Sequence, residues 1–234
     1  MPDRPSSARA AARGVTVSLD VVLFTARGSE LAVLLTPAAP SRTRGAGRDR
    51  WALPSDAPRA DESLDDAAER IARDAFGSAP SMLEQSGAIG GGRRHNEGPR
   101  VTIAYFGLVP EGTASTKRGA SWFAMSELPP LSQRQRESVD AAVAAMRARV
   151  DQQPIAFRLL PAAFTLSELQ AIYELLLGRR LHKASFRRSL HASALVEATD
   201  EWRSEGRGRP AQLFRFAPPR RRRQRRGIRF DLLG

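Results

Sequence analysis

The sequence predicts an α+β protein in two units: a mixed sheet-and-helix domain over residues 15–150, then a smaller helical unit over 155–217 that ends in a hairpin. Three observations predict it. Apolar, β-branched runs alternate with turn signals through the first 150 residues, with one amphipathic helix embedded among them. From Phe157 onward the apolar period becomes helical. The charge changes in the same place. Residues 1–150 carry 20 basic and 17 acidic side chains, net +3, whereas 151–234 carry 17 and 8, net +9.

The first 14 residues are polar, contain Pro and three Arg, and read as a flexible tail. Residues 15–26 (VTVSLDVVLFTA) read as a buried strand and 30–36 as its hairpin partner across Gly28-Ser29. A Pro-, Gly- and Arg-rich loop follows (37–50), then a short strand, 51–54, halted by Pro54. Ser63 caps a helix whose apolar stripe is Leu64, Ala67, Ala68, Ile71, Ala72 and Ala75, and Gly77 closes it. Strands are expected at 81–89 and 101–110, with a loop at 90–100 between them, and a short strand after Ala120. Ser132 then caps an Ala-rich helix that runs to about Val150.

In the second unit, 164–178 reads as an amphipathic helix capped by Thr165 or Ser167 and stopped by Gly178. Residues 183–196 read as a second, basic helix, and 197–217 as two short strands around a Gly-containing turn. Helix, basic helix and two-stranded wing make a winged helix. Core positions are Leu166, Leu169, Ile172, Tyr173 and Leu176 on the first helix, with Phe186, Leu190, Leu195 and Val196 after it. Trp202 in the wing reads as a strand-packing aromatic or as a contact to the nucleic-acid backbone. Residues 218–234 are Arg-rich and read as a flexible tail.

Composition narrows the function. At 41% hydrophobic the 234-residue chain has enough apolar material for a packed core. It has no Cys, which excludes disulfides, thiolate zinc sites and cysteine nucleophiles. No apolar run approaches the ~20 residues of a membrane span. His95, His182 and His191 form no metal constellation. Net +9 in the final third fits a polyanionic partner, nucleic acid first, or else a solvated Arg-rich tail. The start of the basic helix, with Lys183, Ser185, Arg187 and Arg188, is where a helix-turn-helix reads the major groove. Arg there either reads guanine bidentately or pairs with phosphate, and Ser185 donates to phosphate. Arg203, Arg207 and Arg209 in the wing suit the minor groove or its phosphates.

Residues 51–77 (WALPSDAPRADESLDDAAERIARDAFG) resemble the Nudix box in unbroken register. Glu62 matches its first Glu, Arg70 its Arg and Gly77 its final Gly. The resemblance implies a Nudix-type α/β/α sandwich with a ligand pocket. The departures decide the chemistry. Nudix hydrolases bind Mg²⁺ or Mn²⁺ through three helix carboxylates, and the matching positions here are Ile71, Asp74 and Ala75. Positions i, i+3 and i+4 share one helix face, so three acids there would cluster their oxygens. One Asp between an Ile and an Ala does not supply the charge that a hard cation needs. Asp65, Asp66 and Glu69 lie off that face and read as solvated surface. Asp56 stands where the box has Gly. No metal, no cofactor and no hydrolysis are therefore expected. The competing reading is a Nudix hydrolase of a nucleoside diphosphate derivative.

Residues 157–216 are similar to the C-terminal domain of the Nudix-related transcriptional regulators (NrtR-like), through FTLSELQ (164–170), LGRRL (177–181), K-x-x-FRR (183–188) and GRGRPAQLFRF (206–216). With the Nudix-like part, the likeness spans most of the chain. It implies a cytoplasmic, homodimeric repressor that binds double-stranded operator DNA and answers to an ADP-ribose-type nucleotide sugar. The ligand residues it points to are Glu62 and Arg70 in the box and Arg93, Arg94 and Arg100 beside it, the last three suited to a pyrophosphate. In loop 90–100 only Pro99-Arg100 of the family stretch persists, and LSQRQRE (131–137) replaces a common Asp-His pair, so the effector is open to difference.

Overall fold

The computed structural model describes residues 15–38, 51–90, 100–110, 119–150, 152–204 and 210–217. The two tails, Arg93, Arg94, His95, Arg207 and Arg209 lie outside the described residues.

The expected hairpin forms from β1 (Thr16–Arg27) and β2 (Glu30–Pro37). Positions 19–26 of β1 are all buried, because helices cover the sheet on both faces. β2 carries two short partners on its outer edge, β3 (Trp51–Ala52) and β7 (Ser121–Ala124). Pro54 does not end the third strand segment outright. Its carbonyl accepts from Val21 N at 2.9 Å, and the chain resumes as β4 (Ser55–Asp56), antiparallel to β1 at Leu19 and Asp20. On the other side β1 runs parallel to β6 (Arg100–Leu108), which pairs antiparallel with β5 (Met82–Gly90).

Helix α1 (Leu64–Phe76) covers one face. Its buried Ala67, Ala68, Ile71, Ala72 and Ala75 pack on Leu19, Val21, Leu23 and Tyr105, and the small alanines let helix and sheet lie close. Ser63 Oγ accepts from Asp66 N as expected, and Gly77 closes the helix at φ 97°. Leu64 departs from the expected stripe: it sits in the first turn and is exposed. Helix α2 (Gln133–Val150) covers the opposite face. The unit is thus an α/β/α sandwich.

A 3₁₀ turn, Ile155–Arg158, leads to α3 (Leu166–Leu177) and α4 (Lys183–Ser193), then to the wing strands β8 (Val196–Arg203) and β9 (Ala211–Phe216). Phe164 adds a short third edge by exchanging two backbone hydrogen bonds with Phe214, at 2.9 and 2.7 Å. Helix α4 ends earlier than the expected residue 196. Ala194 turns left-handed at φ 50°, and Val196 pairs with Phe216 instead, so ladder pairing overrides continued helix. Val196, and Leu166 in the first turn of α3, are half-buried and pack against the edge of the core. One apolar cluster joins the units: Phe24 and Val33 from the sheet, Val139 and Met146 from α2, and Leu169, Tyr173 and Phe186 from the helices beyond.

Candidate functional site

The Nudix-like pocket is a cavity of about 250 Å³ lined by Thr36, Pro54, Ser55, Asp56, Arg70, Ile71, Asp74 and Ala75. Its wall is fixed by one arginine. Arg70 donates from Nε to Glu62 Oε1 at 2.7 Å, from Nη2 to Glu62 Oε2 at 2.9 Å and to the Ala57 carbonyl at 3.0 Å, and from Nη1 to Asp56 Oδ2 at 2.7 Å. Glu62 also accepts from Arg59 N at 3.0 Å. The Arg70 guanidinium, aided by that amide, holds the Glu62 carboxyl down to about 2, and it lowers Asp56 as well. The guanidinium is raised in turn. Glu62 and Arg70, expected at the ligand, are therefore engaged with each other: they clamp loop 55–62 onto α1. Asp56, in the box's Gly position, supplies the second carboxylate of the clamp.

Ile71 and Ala75 are buried against the sheet, and Asp74 is exposed between them. Among the described residues no three His, Cys, Asp or Glu side chains cluster as metal ligands would. Asp65 is not plain surface. It accepts from the Tyr105 hydroxyl at 2.6 Å, and burial together with this carboxylate pushes the phenol above its ordinary range. Arg100 is half-buried at the first position of β6, opposite Thr16. In LSQRQRE, Arg134 reaches Asp20 Oδ1 at 2.5 Å, and Ser138 Oγ donates to Asp20 Oδ2 at 2.7 Å. Asp20 is wholly buried on β1. The segment that departs from the family thus satisfies a buried charge 114 residues away.

The winged-helix unit is held by two carboxylates. At the start of α3, Thr165 and Glu168 form a full capping box. Glu168 also takes Arg203 Nη1 at 2.6 Å, so this arginine ties the wing to α3. Beyond α3, Gly178 turns left-handed at φ 67°. Glu174 then accepts from Gln170, from Leu181 N at 2.9 Å and from Arg180. Burial works to raise the Glu174 carboxyl, but these hydrogen bonds outweigh it and hold it below its usual range.

These contacts set the pose of α4. Phe186 and Leu190 point inward, with Phe186 edge-on to Tyr173 at 5.7 Å between ring centroids. Lys183, Ser185, Arg187 and Arg188 are exposed. At roughly 100° per residue, Arg188 projects opposite the Phe186–Leu190 stripe, and Arg187 lies on its flank. His191 is exposed on the Arg188 side, and Ser185 Oγ lies 3.3 Å from His182 Nδ1. Trp202 is 57% exposed, contrary to the expected packing role, since its strand neighbour is Gln212.

A model of the NrtR DNA-binding winged helix domain matches residues 156–216. Over 209 residues the chain is 30% identical to the ADPR responsive transcriptional repressor NtrR of Acinetobacter baylyi, covering 86% of this chain and 82% of that protein. The chain belongs to the NrtR family. The crystal structure of Shewanella oneidensis NrtR complexed with a 27mer DNA matches with a TM-score of 0.74 at 28% identity, over 86% of this chain and 93% of that one. A MutT/nudix family protein from Enterococcus faecalis shares the fold, with a TM-score of 0.65 at 18% identity over 87% of each chain. As an NrtR protein, the chain is a DNA-binding transcriptional regulator in which a winged helix follows a Nudix-type sandwich. Sequence reasoning missed three features of this NrtR chain: the role of Asp56, the Asp65–Tyr105 bond and the Asp20–Arg134–Ser138 network. Only Asp56 had a signal, its place in the motif register.

Proposed function

We propose that the chain is a cytoplasmic, homodimeric repressor in which residues 155–217 bind double-stranded operator DNA and residues 15–150 bind an ADP-ribose-type nucleotide sugar without hydrolysing it. The observation that carries this reading is the exposed basic surface of α4. Lys183 in its first turn, Arg188 on its outer face and Arg187 on the flank are exposed and make no ion pair among the described residues. Such a face on a winged helix suits the major groove, with Arg188 at the base edges and Ser185 and Lys183 at phosphates. Arg207 and Arg209 are assigned to the wing's contact with the minor groove. The DNA in the Shewanella complex and the ADPR response of the Acinetobacter repressor support both halves of the reading.

The absence of hydrolysis is supported by the pocket's donor set. A hard divalent cation does not fit buried Ile71 and Ala75 with Asp74 as the lone acid between them. Without it there is no Lewis acid at a pyrophosphate. Arg100, with Arg93 and Arg94, is assigned to the effector's phosphates.

The test titrates the purified chain against duplex DNA from its own gene neighbourhood, with excess competitor, with and without ADP-ribose and related nucleotides. A saturable shift released by one nucleotide is expected. Arg188→Ala should weaken the specific complex about tenfold or more. Unchanged affinity in both Arg187→Ala and Arg188→Ala would exclude α4 as the reader. Mg²⁺-dependent turnover of ADP-ribose would restore the hydrolase.

A further inference from the structure

Basic charge does not stop at the winged helix. Arg147 lies in the last turn of α2, on the sandwich, and makes no ion pair among the described residues. Arg149, two positions on, is paired with Glu84 at 2.7 Å. The Arg147 guanidinium lies over the turn between α3 and α4. A Cβ built on Gly178 would meet its Nη2 at 3.1 Å and its Cζ at 3.7 Å. The next two residues, Arg179 and Arg180, are exposed. Arg180 has Glu174 at 3.1 Å, but its side chain is 96% exposed, and so open a pair holds weakly. Then α4 begins, with no acid in its eleven residues. Positive charge is therefore continuous from the end of α2, across the turn, to the face assigned to the major groove.

A recognition helix enters the groove with its N-terminus foremost. The turn just before it therefore reaches the groove edge, where the phosphates run. We propose that the DNA-binding surface extends onto the Nudix-type sandwich, with Arg147 on α2 and Arg179 in the turn gripping the backbone of the duplex that α4 enters. The inference rests on the proposed DNA-binding role of α4. It adds a contact from the sensory half, so that α2 and the α3–α4 turn hold DNA together only at their present spacing. The structural alternative is that Arg147 merely caps the C-terminal carbonyls of α3.

The test measures Kd of the full chain, native and variant, between 50 and 200 mM salt, on the gene-neighbourhood duplex and on a random duplex of equal length. Each lost phosphate contact should make the slope of log K against log salt shallower by about 0.9. Arg147→Ala and Arg179→Ala are each expected to do so on both duplexes, with the preference between duplexes unchanged. Arg147→Lys should keep the slope. Arg179→Ala, in an exposed turn, reads the surface free of any effect on α2. A native chain that binds while both alanine variants keep its slope overturns this inference and leaves the α4 reading standing. A lower thermal midpoint for Arg147→Ala with an unchanged slope assigns Arg147 to capping α3 and overturns its part. A native chain that binds neither duplex overturns the α4 reading and this one with it.

Discussion

Arg70, which matches the arginine of the Nudix box, has a mechanical role in this fold. It donates to Glu62, Asp56 and the Ala57 carbonyl, and so holds one wall of the pocket. The pH dependence follows with its sign. The Glu62 carboxyl sits at about 2 in the folded chain against an ordinary 4.5, so the unfolded chain binds the extra proton between those values. The clamp's contribution is complete above about 4.5 and is lost as pH falls toward 2. Glu62→Gln should therefore lower the thermal midpoint at pH 7 and flatten its fall below pH 4.5. Equal midpoints at pH 7 for native and variant would remove the clamp from the account. The match of Glu62 and Arg70 to the motif register was legible in the sequence. Their bond to each other was not, because a motif records which residues recur and not whether their donors face a ligand or a neighbour. Asp20 is the sharper case. A lone Asp in an apolar strand has no local signature that points to Arg134 and Ser138, which only folding brings to it.

At the scale of elements, most of the fold was legible, because period and punctuation are local. The β1–β2 hairpin, the Ser63 and Thr165 caps and the Gly77 and Gly178 stops stand where residue type places them. The misses occur where long-range pairing wins. Helix α4 yields its last turn to the β8–β9 ladder, and β4 exists because β1 offers it an edge at Leu19 and Asp20. The α3–α4 turn is the element on which the proposed DNA-reading face depends. Gly178 holds φ 67°, a region that costs an L-residue roughly 1–2 kcal/mol. A Cβ there also presses on the Arg147 guanidinium. Gly178→Ala should thus cost about 1–2 kcal/mol in denaturant, with the midpoint lowered and the slope unchanged. A cost near zero would mean that the turn relaxes freely and does not fix α4.

At the scale of the molecule, the two units are not independent bodies. The cluster that holds Phe24 and Val33 of the sheet also holds Tyr173 and Phe186 of the winged helix, with Met146 of α2 between them. Arg203 and Glu168 lock the wing to α3, and α3 packs on α2 and β2. A winged helix cut free at residue 152 would expose its share of that cluster to water. Unfolding of the full chain should therefore be one cooperative transition, and a fragment of 152–217 should show a much lower midpoint or none. The same continuity predicts an effect at a distance. A nucleotide that binds only the folded sandwich stabilises whatever unfolds with it, by about 2.7 kcal/mol at a hundred times its Kd. Amides of α4 that exchange hydrogen only through global unfolding should then slow on adding ADP-ribose, although that ligand is assigned to the sandwich alone. If the sandwich amides slow and those of α4 do not, the two units open separately. The effector would then have to act on DNA binding through the position of α2 rather than through a shared core.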